Sequence, residues 1–263
     1  MKKFGFKPRR LREKKETEKI YIYGKHALEE ALKNAPRSVS KVFLSQEAGE
    51  KELVSRLKSL GISVGTIKNK EASWMVGKET SHQGVIAVIN PSILMVDFAD
   101  FLTGLKPAND TMLVLLDELI DPHNVGAVIR SAAAFGASGI LMPSRNQAQI
   151  TGAVVKVSAG MAFSLPIVSI GNINQTIDSL KKLGFKSYAL AMDGSKDISD
   201  ENFDGPTLFV VGNEGRGIRE KTFEHCDATL RIPINPKCES LNASVSAAIV
   251  LYAWSVKHSK TLK

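Results

Sequence analysis

The chain has few of the residues that would announce a metal, a disulfide framework or a membrane. Of its 263 residues only two are cysteines, Cys226 and Cys238. They lack the close pairing of zinc ligands, cannot build a cluster by themselves, and suit a reducing compartment as free thiols, so no metal is expected. No apolar run approaches the roughly 20 residues that span a bilayer. The N-terminus is charged from Lys2 onward and has no apolar core segment, so no secretory signal is expected. The expected setting is therefore cytoplasmic, without a membrane partner. Two nucleotide-binding signatures are also missing. No Gly-x-Gly-x-x-Gly follows the first strand, and no Lys-Ser/Thr follows a glycine-rich loop. There is no internal repeat.

What is present has the balance of a globular protein, with 43% hydrophobic and 24% charged residues. The length allows one large domain or two modest ones. The net charge of +8 is unevenly placed: residues 1–19 hold nine Lys/Arg against three Glu, a net of +6, leaving +2 for the other 244. This tail reads either as a flexible arm for a polyanion or as a solubilising extension.

Residues 20–90 pattern as a compact α/β unit. Strands are expected at Ile20–Tyr23, Lys41–Ser45, Ile62–Ile67 and Val85–Ile89, the last behind a turn at Ser81-His82-Gln83-Gly84. Helices are expected after Gly24, around Leu53–Leu60, and around Ala72–Val76. Residues 91–110, punctuated by Pro91, Gly104 and Pro107, read as a linker with a helical turn at Phe98–Leu102. From 111 to 263 a second α/β unit begins. Its expected strands are Met112–Leu116, Ser138–Met142, Pro166–Ser169, Lys186–Ala191, Leu208–Val211 and Thr229–Ile232, mostly separated by helical patterns. That alternation predicts a mostly parallel sheet covered on both faces.

Three strand-to-helix loops carry chemistry-bearing residues, and such loops are where parallel sheets hold ligands. In the first, residues 117–143, Asn124 is a candidate helix cap. Arg130, among small residues on the same helix, either snorkels to solvent or serves as a fixed cation for a phosphate or ribose. In the second, residues 210–218, the order Gly212-x-x-Gly215-x-Gly217 surrounds Glu214. A carboxylate there repels phosphate, which favours an adenosine or amino-acid moiety; the plainer alternative is a tight turn with Glu214 near a helix start. In the third, residues 232–248, Ser240 and Asn242 open the apolar C-terminal helix, with Ser240 the candidate cap.

Taken together and in this order, Asn124-x-Gly126-x-x-x-Arg130, Gly212-Asn213-Glu214-Gly215-x-Gly217, and Ile232-Pro233 followed by Ser240-Leu241-Asn242-x-Ser244 resemble the signature of the SpoU-type (SPOUT) RNA ribose 2′-O-methyltransferases. The N-terminal part, with its Tyr23-Gly24-Lys25-His26 start and the turn at 81–85, resembles the substrate-binding domain of the ribosomal RNA branch, whose fold is like that of a large-subunit ribosomal protein. The resemblance implies an α/β fold with a C-terminal trefoil knot, S-adenosylmethionine as cofactor, and a homodimer. It also implies methylation of a ribose 2′-hydroxyl, with a guanosine of large-subunit ribosomal RNA as the nearest subgroup's target. Pattern reasoning without it leads to an ordinary doubly wound sheet. By the same resemblance, Gly212, Ile232 and Leu241 contact the cofactor, and Asn124, Arg130, Glu214, Ser240 and Asn242 form the catalytic surround. One position departs from the family: Pro236 stands where the third loop usually has Gly, and Pro fixes φ and removes a donor. Rival readings are a transfer RNA methyltransferase, a non-catalytic RNA-binding protein of the same fold, for which Pro236 is the main support, and a Rossmann-type oxidoreductase.

Overall fold

The computed structural model describes residues 19–48, 51–77 and 82–262. Residues 1–18, nearly all of the basic tail, and Ser81 of the expected turn lie outside the described residues.

The chain first builds a small sheet from β1 (Ile20–Tyr23), β2 (Val39–Leu44), β3 (Ser63–Thr66) and β4 (Val85–Ile89), with α1 (Lys25–Asn34), α2 (Lys51–Ser59) and α3 (Asn69–Val76) between them. The order is β1-β4-β2-β3, with β4 antiparallel to both neighbours and β3 parallel to β2. All five residues of β4 are buried, as a VIAVI run at the centre of a sheet should be. Register sorts the side chains. Tyr23 and Phe43 both pair with Ile86, and Tyr21 and Lys41 both pair with Val88, so these four share one face. Ile22, Val42 and Leu44 take the other face, packed with Leu28, Ala31 and Leu32 of α1 and Leu57 of α2. Helix α3 covers part of the aromatic face, setting Ala72, Met75 and Val76 with Ile86, Tyr23 and Phe43.

The second sheet has eight strands: β5 (Met95–Asp97), β6 (Met112–Asp117), β7 (Gly139–Pro143), β8 (Ile167–Ile170), β9 (Lys186–Leu190), β10 (Lys196–Asp197), β11 (Thr207–Gly212) and β12 (Ala228–Arg231). Their order is β10-β12-β9-β11-β6-β7-β8-β5, and every neighbouring pair is parallel. Alternation along the central strands feeds two cores. Met112, Val114 and Leu116 face α5 (Pro122–Ala134), α6 (Gly152–Val157) and α9 (Ala243–Lys257). Leu113 and Leu115 face α4 (Phe98–Gly104) and α7 (Ile173–Lys181), with α8 (Glu220–His225) at the carboxyl side. An α/β fold with a parallel sheet and an N-terminal sub-domain is thus observed, and most expected strands lie within two residues of their observed bounds.

The stretch 91–110 contributes more than connection. It supplies edge strand β5 and, in α4, the apolar residues Phe98, Phe101 and Leu102 that pack on the second core. Strands β5 and β10, three and two residues long, are too short to carry a periodic signal. The two sheets meet through α6. A Cβ on Gly152 would lie 2.1 Å from the Tyr21 carbonyl oxygen, so only glycine admits this approach. Lys156 reaches back to 5.1 Å from the Tyr23 ring centroid. Among the described residues no helix is long and apolar enough to cross a membrane.

Candidate active site

The three loops converge at the carboxyl edge of the large sheet, because β6, β11 and β12 are parallel and near neighbours. In the first, helix α5 starts earlier than expected. Pro122 takes the first helical position and Asp121 is the cap, its side chain accepting from the His123 N–H at 2.9 Å. Asn124 is therefore not the cap. It is buried, at 7% exposure, and free to bond across the fold. In the third loop the expectation for Ser240 also fails. Asn242 caps α9, accepting from the N–H groups of Ser244 (2.9 Å) and Val245 (3.3 Å), while Ser240 is exposed.

The glycines of the second loop serve the loop's own closure. Asn213 and Gly217 exchange both backbone hydrogen bonds at 2.9 Å. Gly217 has φ +69°, and a Cβ on Gly212 would sit 2.4 Å from both the Gly217 carbonyl carbon and the Ile218 nitrogen. Asn213 organises the turn. Its Oδ1 accepts from the Gly215 and Arg216 N–H groups, and its Nδ2 donates to the Glu118 carbonyl at 2.8 Å.

Between the second and third loops lies a cavity of about 460 Å³. Of the residues expected to contact the cofactor, Gly212, Ile232 and Leu241 all line it, together with Glu214 and Ser240 of the expected catalytic surround. Val211, Ile218, Leu230 and Ile234 complete an apolar wall. A further wall was not anticipated: Leu190–Asp193, the last residue of β9 and the loop after it. Its one sequence cue is the turn pair Asp193-Gly194 directly behind an expected strand.

A chain of side-chain hydrogen bonds ties the three loops together. Asn242 Nδ2 donates to Asn124 Oδ1 at 3.0 Å, and Asn124 Nδ2 donates to Glu214 Oε1 at 2.9 Å. The chain runs from the cap of α9 through the first turn of α5 to the β11 loop, and its donors all point toward the one carboxylate. Arg130 stands apart. It is exposed on α5 and does not line this cavity in its own chain.

Sequence reasoning also missed an acid–guanidinium cluster beneath the loops. Asp117, fully buried, accepts from the backbone N–H and Nε of Arg219, at 3.1 and 2.8 Å. Glu118, held at φ +60°, accepts from Arg219 at 3.1 Å and from Asn146 Nδ2 at 3.2 Å. Two adjacent acids at a strand's carboxyl end were the available signal. Cys226 offers no reactive thiolate here: burial pushes its thiol up to about 12. Among the described residues no cluster of three or more His, Cys, Asp or Glu is placed to hold a metal ion. Pro236 lies away from the cavity wall, at the second position of a β-turn closed by the Cys238 N–H on the Asn235 carbonyl at 2.9 Å. That position favours proline and requires no N–H from it.

Comparison with known proteins gives this geometry a family. A model described as the SpoU rRNA Methylase family matches residues 111–252, and one described as RNA 2'-O ribose methyltransferase substrate binding matches residues 21–94. A 23S rRNA (guanosine-2'-O-)-methyltransferase RlmB of Pseudomonas syringae is 32% identical over 236 residues, covering 88% of this chain and 93% of that one. An uncharacterized tRNA/rRNA methyltransferase of Mycobacterium avium is 34% identical over 249 residues, 93% of this chain and 79% of that one. Among solved structures, the SpoU methyltransferase AviRb of Streptomyces viridochromogenes, in complex with AdoMet, superimposes with a TM-score of 0.77 at 24% identity, covering 91% of this chain and 90% of that one. The class defined by the parallel sheet, its carboxyl-edge cavity and the small unit ahead of it is that of the RNA methyltransferases. Within that class, the chain belongs to the SpoU rRNA methylase family.

Proposed function

We propose that the protein transfers a methyl group from S-adenosylmethionine to the 2′-hydroxyl of a guanosine in large-subunit ribosomal RNA, as a cytoplasmic homodimer with a knotted C-terminal fold. One observation carries this: three loops, far apart in sequence, are bonded into one rim through Asn242, Asn124 and Glu214 beside a half-apolar cavity. The RlmB relatives support ribosomal RNA as the substrate. With Pro236 in a turn away from the cavity, the main support for a non-catalytic protein is gone.

The residues present fit the cofactor. A volume of about 460 Å³ suits a nucleoside joined to an amino acid. Ile232, Ile234 and Leu241 offer apolar surface to a purine and to the methylene groups beside a sulfonium, and Glu214 at the rim suits a cationic ligand better than a phosphate. S-adenosylmethionine, when bound, supplies a methyl group already activated on a sulfonium. The protein's part is to place the ribose in line and to ease the loss of its proton to solvent, and positioning alone contributes roughly 7 kcal/mol or more. Arg130 clamps an RNA phosphate and, as a permanent cation, stabilises the developing alkoxide. The Asn124–Glu214 bond holds the loops that shape the cavity, and Ser240 and Asn242 orient the nucleotide.

Arg130 does not line the cavity of its own chain, so in this reading a second copy supplies it. Helix α9, packed beside α5, exposes Val245 (45%), Tyr252 (58%) and Val256 (57%) along one stripe, an apolar face suited to a dimer seam. Arg130→Ala is expected to lower methyl transfer at least about 100-fold. Because Arg130 is exposed, melting temperature and cofactor affinity are expected to stay unchanged. An active Arg130→Ala enzyme ends the assignment. Mixing Arg130→Ala with a cofactor-defective Gly212→Ala chain is expected to restore part of the activity through mixed dimers. A mixture as inactive as its components removes the in-trans role.

A further inference from the structure

The aromatic residues of the small sheet are distributed unevenly. Residues 20–94 contain four of them, Tyr21, Tyr23, Phe43 and Trp74. The strand register sets the first three on one face, and Trp74 rides on α3, the helix that covers part of that face. Ala72, Met75 and Val76 point inward from α3, so Trp74 points out, with Lys70 one turn before it on the same outer side. The Trp74 side chain is 86% exposed, more than any other large hydrophobic residue among those described. Tyr21, outside the cluster that α3 packs on, is 36% exposed. An indole left in water keeps most of its roughly 150–250 Å² of surface unburied, which marks a partner site.

The cations on this face narrow the partner's chemistry. Lys41 Nζ lies 4.6 Å from the ring centroid of Phe43 on β2, and Lys156 lies over the ring of Tyr23 on β1. Lys156 belongs to α6, so the basic and aromatic strip continues from the small sheet onto the large one. Glu71, the acid on α3, is turned back on its own helix, accepting from the Lys68 N–H at 3.1 Å. Glu29 and Glu30 lie on α1, which packs on the opposite face of the sheet, and Glu29 is paired with Arg56. Exposed rings between lysines match unpaired nucleotides, whose bases stack and whose phosphates carry the charge; a duplex hides its base faces.

We propose that the α3 face of the small sheet binds unpaired RNA flanking the methylated nucleotide, with Trp74 and Tyr21 as stacking platforms and Lys41, Lys70 and Lys156 on the phosphates. It rests on the reading of the protein as an RNA methyltransferase whose residues 21–94 match a substrate-binding model, and adds the face, the side chains and the preference for unpaired RNA. The chain's two tryptophans make the test direct, because Trp254 is fully buried and stacked on His258 at 4.2 Å. Solvent-exposed tryptophan emission therefore comes from Trp74. The full chain is titrated with a single-stranded ribo-oligonucleotide of about 10 nucleotides and, separately, with a blunt duplex of the same length. Fluorescence and the anisotropy of labelled RNA are both followed.

The expected result is saturable quenching of the exposed emission by the single strand and not by the duplex. Trp74→Ala is expected to weaken single-strand binding about 5- to 100-fold, and Trp74→Phe to retain most of it. Each of Lys41→Gln, Lys70→Gln and Lys156→Gln should reduce the log–log salt slope by about 0.7. Cofactor affinity stays unchanged in all of them, which guards against misfolding. Saturating RNA binding with no change in the Trp74 emission overturns the proposal, as does Trp74→Ala binding like wild type. Loss of the exposed emission on self-association alone assigns the face to a second copy and likewise overturns it. If quenching occurs but no ribose methylation is found, the functional reading fails and this surface stands. If methylation proceeds with Trp74→Ala at wild-type KM, the surface fails and the function stands.

Discussion

Replacing Asn242 by Asp tests whether the hydrogen-bond chain across the three loops has a direction. Asp caps a helix about as well as Asn, so the contacts to Ser244 and Val245 survive. The Nδ2 donor does not. Asn124 Oδ1, buried and bonded to that donor at 3.0 Å, then faces a carboxylate oxygen. If Asn124 turns its amide round to satisfy the introduced carboxylate, its oxygen points at the Glu214 carboxylate instead. Either way one buried acceptor loses its partner, a cost of about 1–3 kcal/mol. In a chain of this size that corresponds to a fall in melting temperature of about 2–12 °C. Glu214→Gln supplies the cure, because the amide it introduces can donate to Asn124 Oδ1 while Asn124 Nδ2 donates to the carboxylate at position 242. The double variant Asn242→Asp/Glu214→Gln should therefore recover more than half of the loss, a coupling of about 1–2 kcal/mol. Recovery is incomplete because Glu214 also accepts from the Asp121 N–H at 3.4 Å. Scanning calorimetry of the four proteins gives the cycle, and cofactor titration reports whether the cavity follows. Strictly additive losses, or an Asn242→Asp protein as stable as wild type, refute the directional chain.

Gly212→Ala drives a methyl group to 2.4 Å from backbone atoms of Gly217 and Ile218. The loop must open by about 1–3 kcal/mol of strain, and calorimetric titration is expected to find cofactor affinity about 5- to 100-fold lower. Pro236→Gly should leave that affinity essentially unchanged, since Pro236 is off the cavity wall. It should cost about 0.4–1 kcal/mol of stability in urea melts, through the freer unfolded chain. Acid should destabilise the protein through Glu201. Burial pushes this carboxyl up, but the Lys196 and Lys186 ammonium groups and the Phe203 N–H outweigh it and hold the folded value below the ordinary one. Its stabilisation is therefore complete above the unfolded value of about 4.3 and disappears as pH falls through the folded one. Glu201→Gln should lower neutral-pH stability by about 1–2 kcal/mol and flatten the melting temperature against pH below about pH 4; an equally steep acid limb in the variant contradicts this.

Local pattern carried much of the architecture. Runs such as Val85–Ile89 and Met112–Leu116 announce buried strands because an apolar run bounded by turns has few other places to go. The glycines of 212–217 and the polar openings of α5 and α9 mark loops at strand ends for the same local reason. The choice between neighbouring candidates was not local. Asp121 and Asn124 are both able caps, as are Ser240 and Asn242, and cap chemistry alone ranks neither pair. What decides is the partner each side chain meets, and Asn242 meets Asn124 across 118 positions of sequence. The same holds for the Leu190–Asp193 wall, which faces the cavity only because β9 lies between β11 and β12. Arg130 sits on a helix face whose use depends on what packs against α9, a matter of a whole surface and not of any window of residues. Sequence alone thus determined the longer strands of the two sheets, the three loops and the chemical kinds of residue in them. The tertiary structure decided which side chain caps, which one links and which one waits, because a hydrogen bond's worth depends on burial and on a partner that only folding brings within about 3 Å.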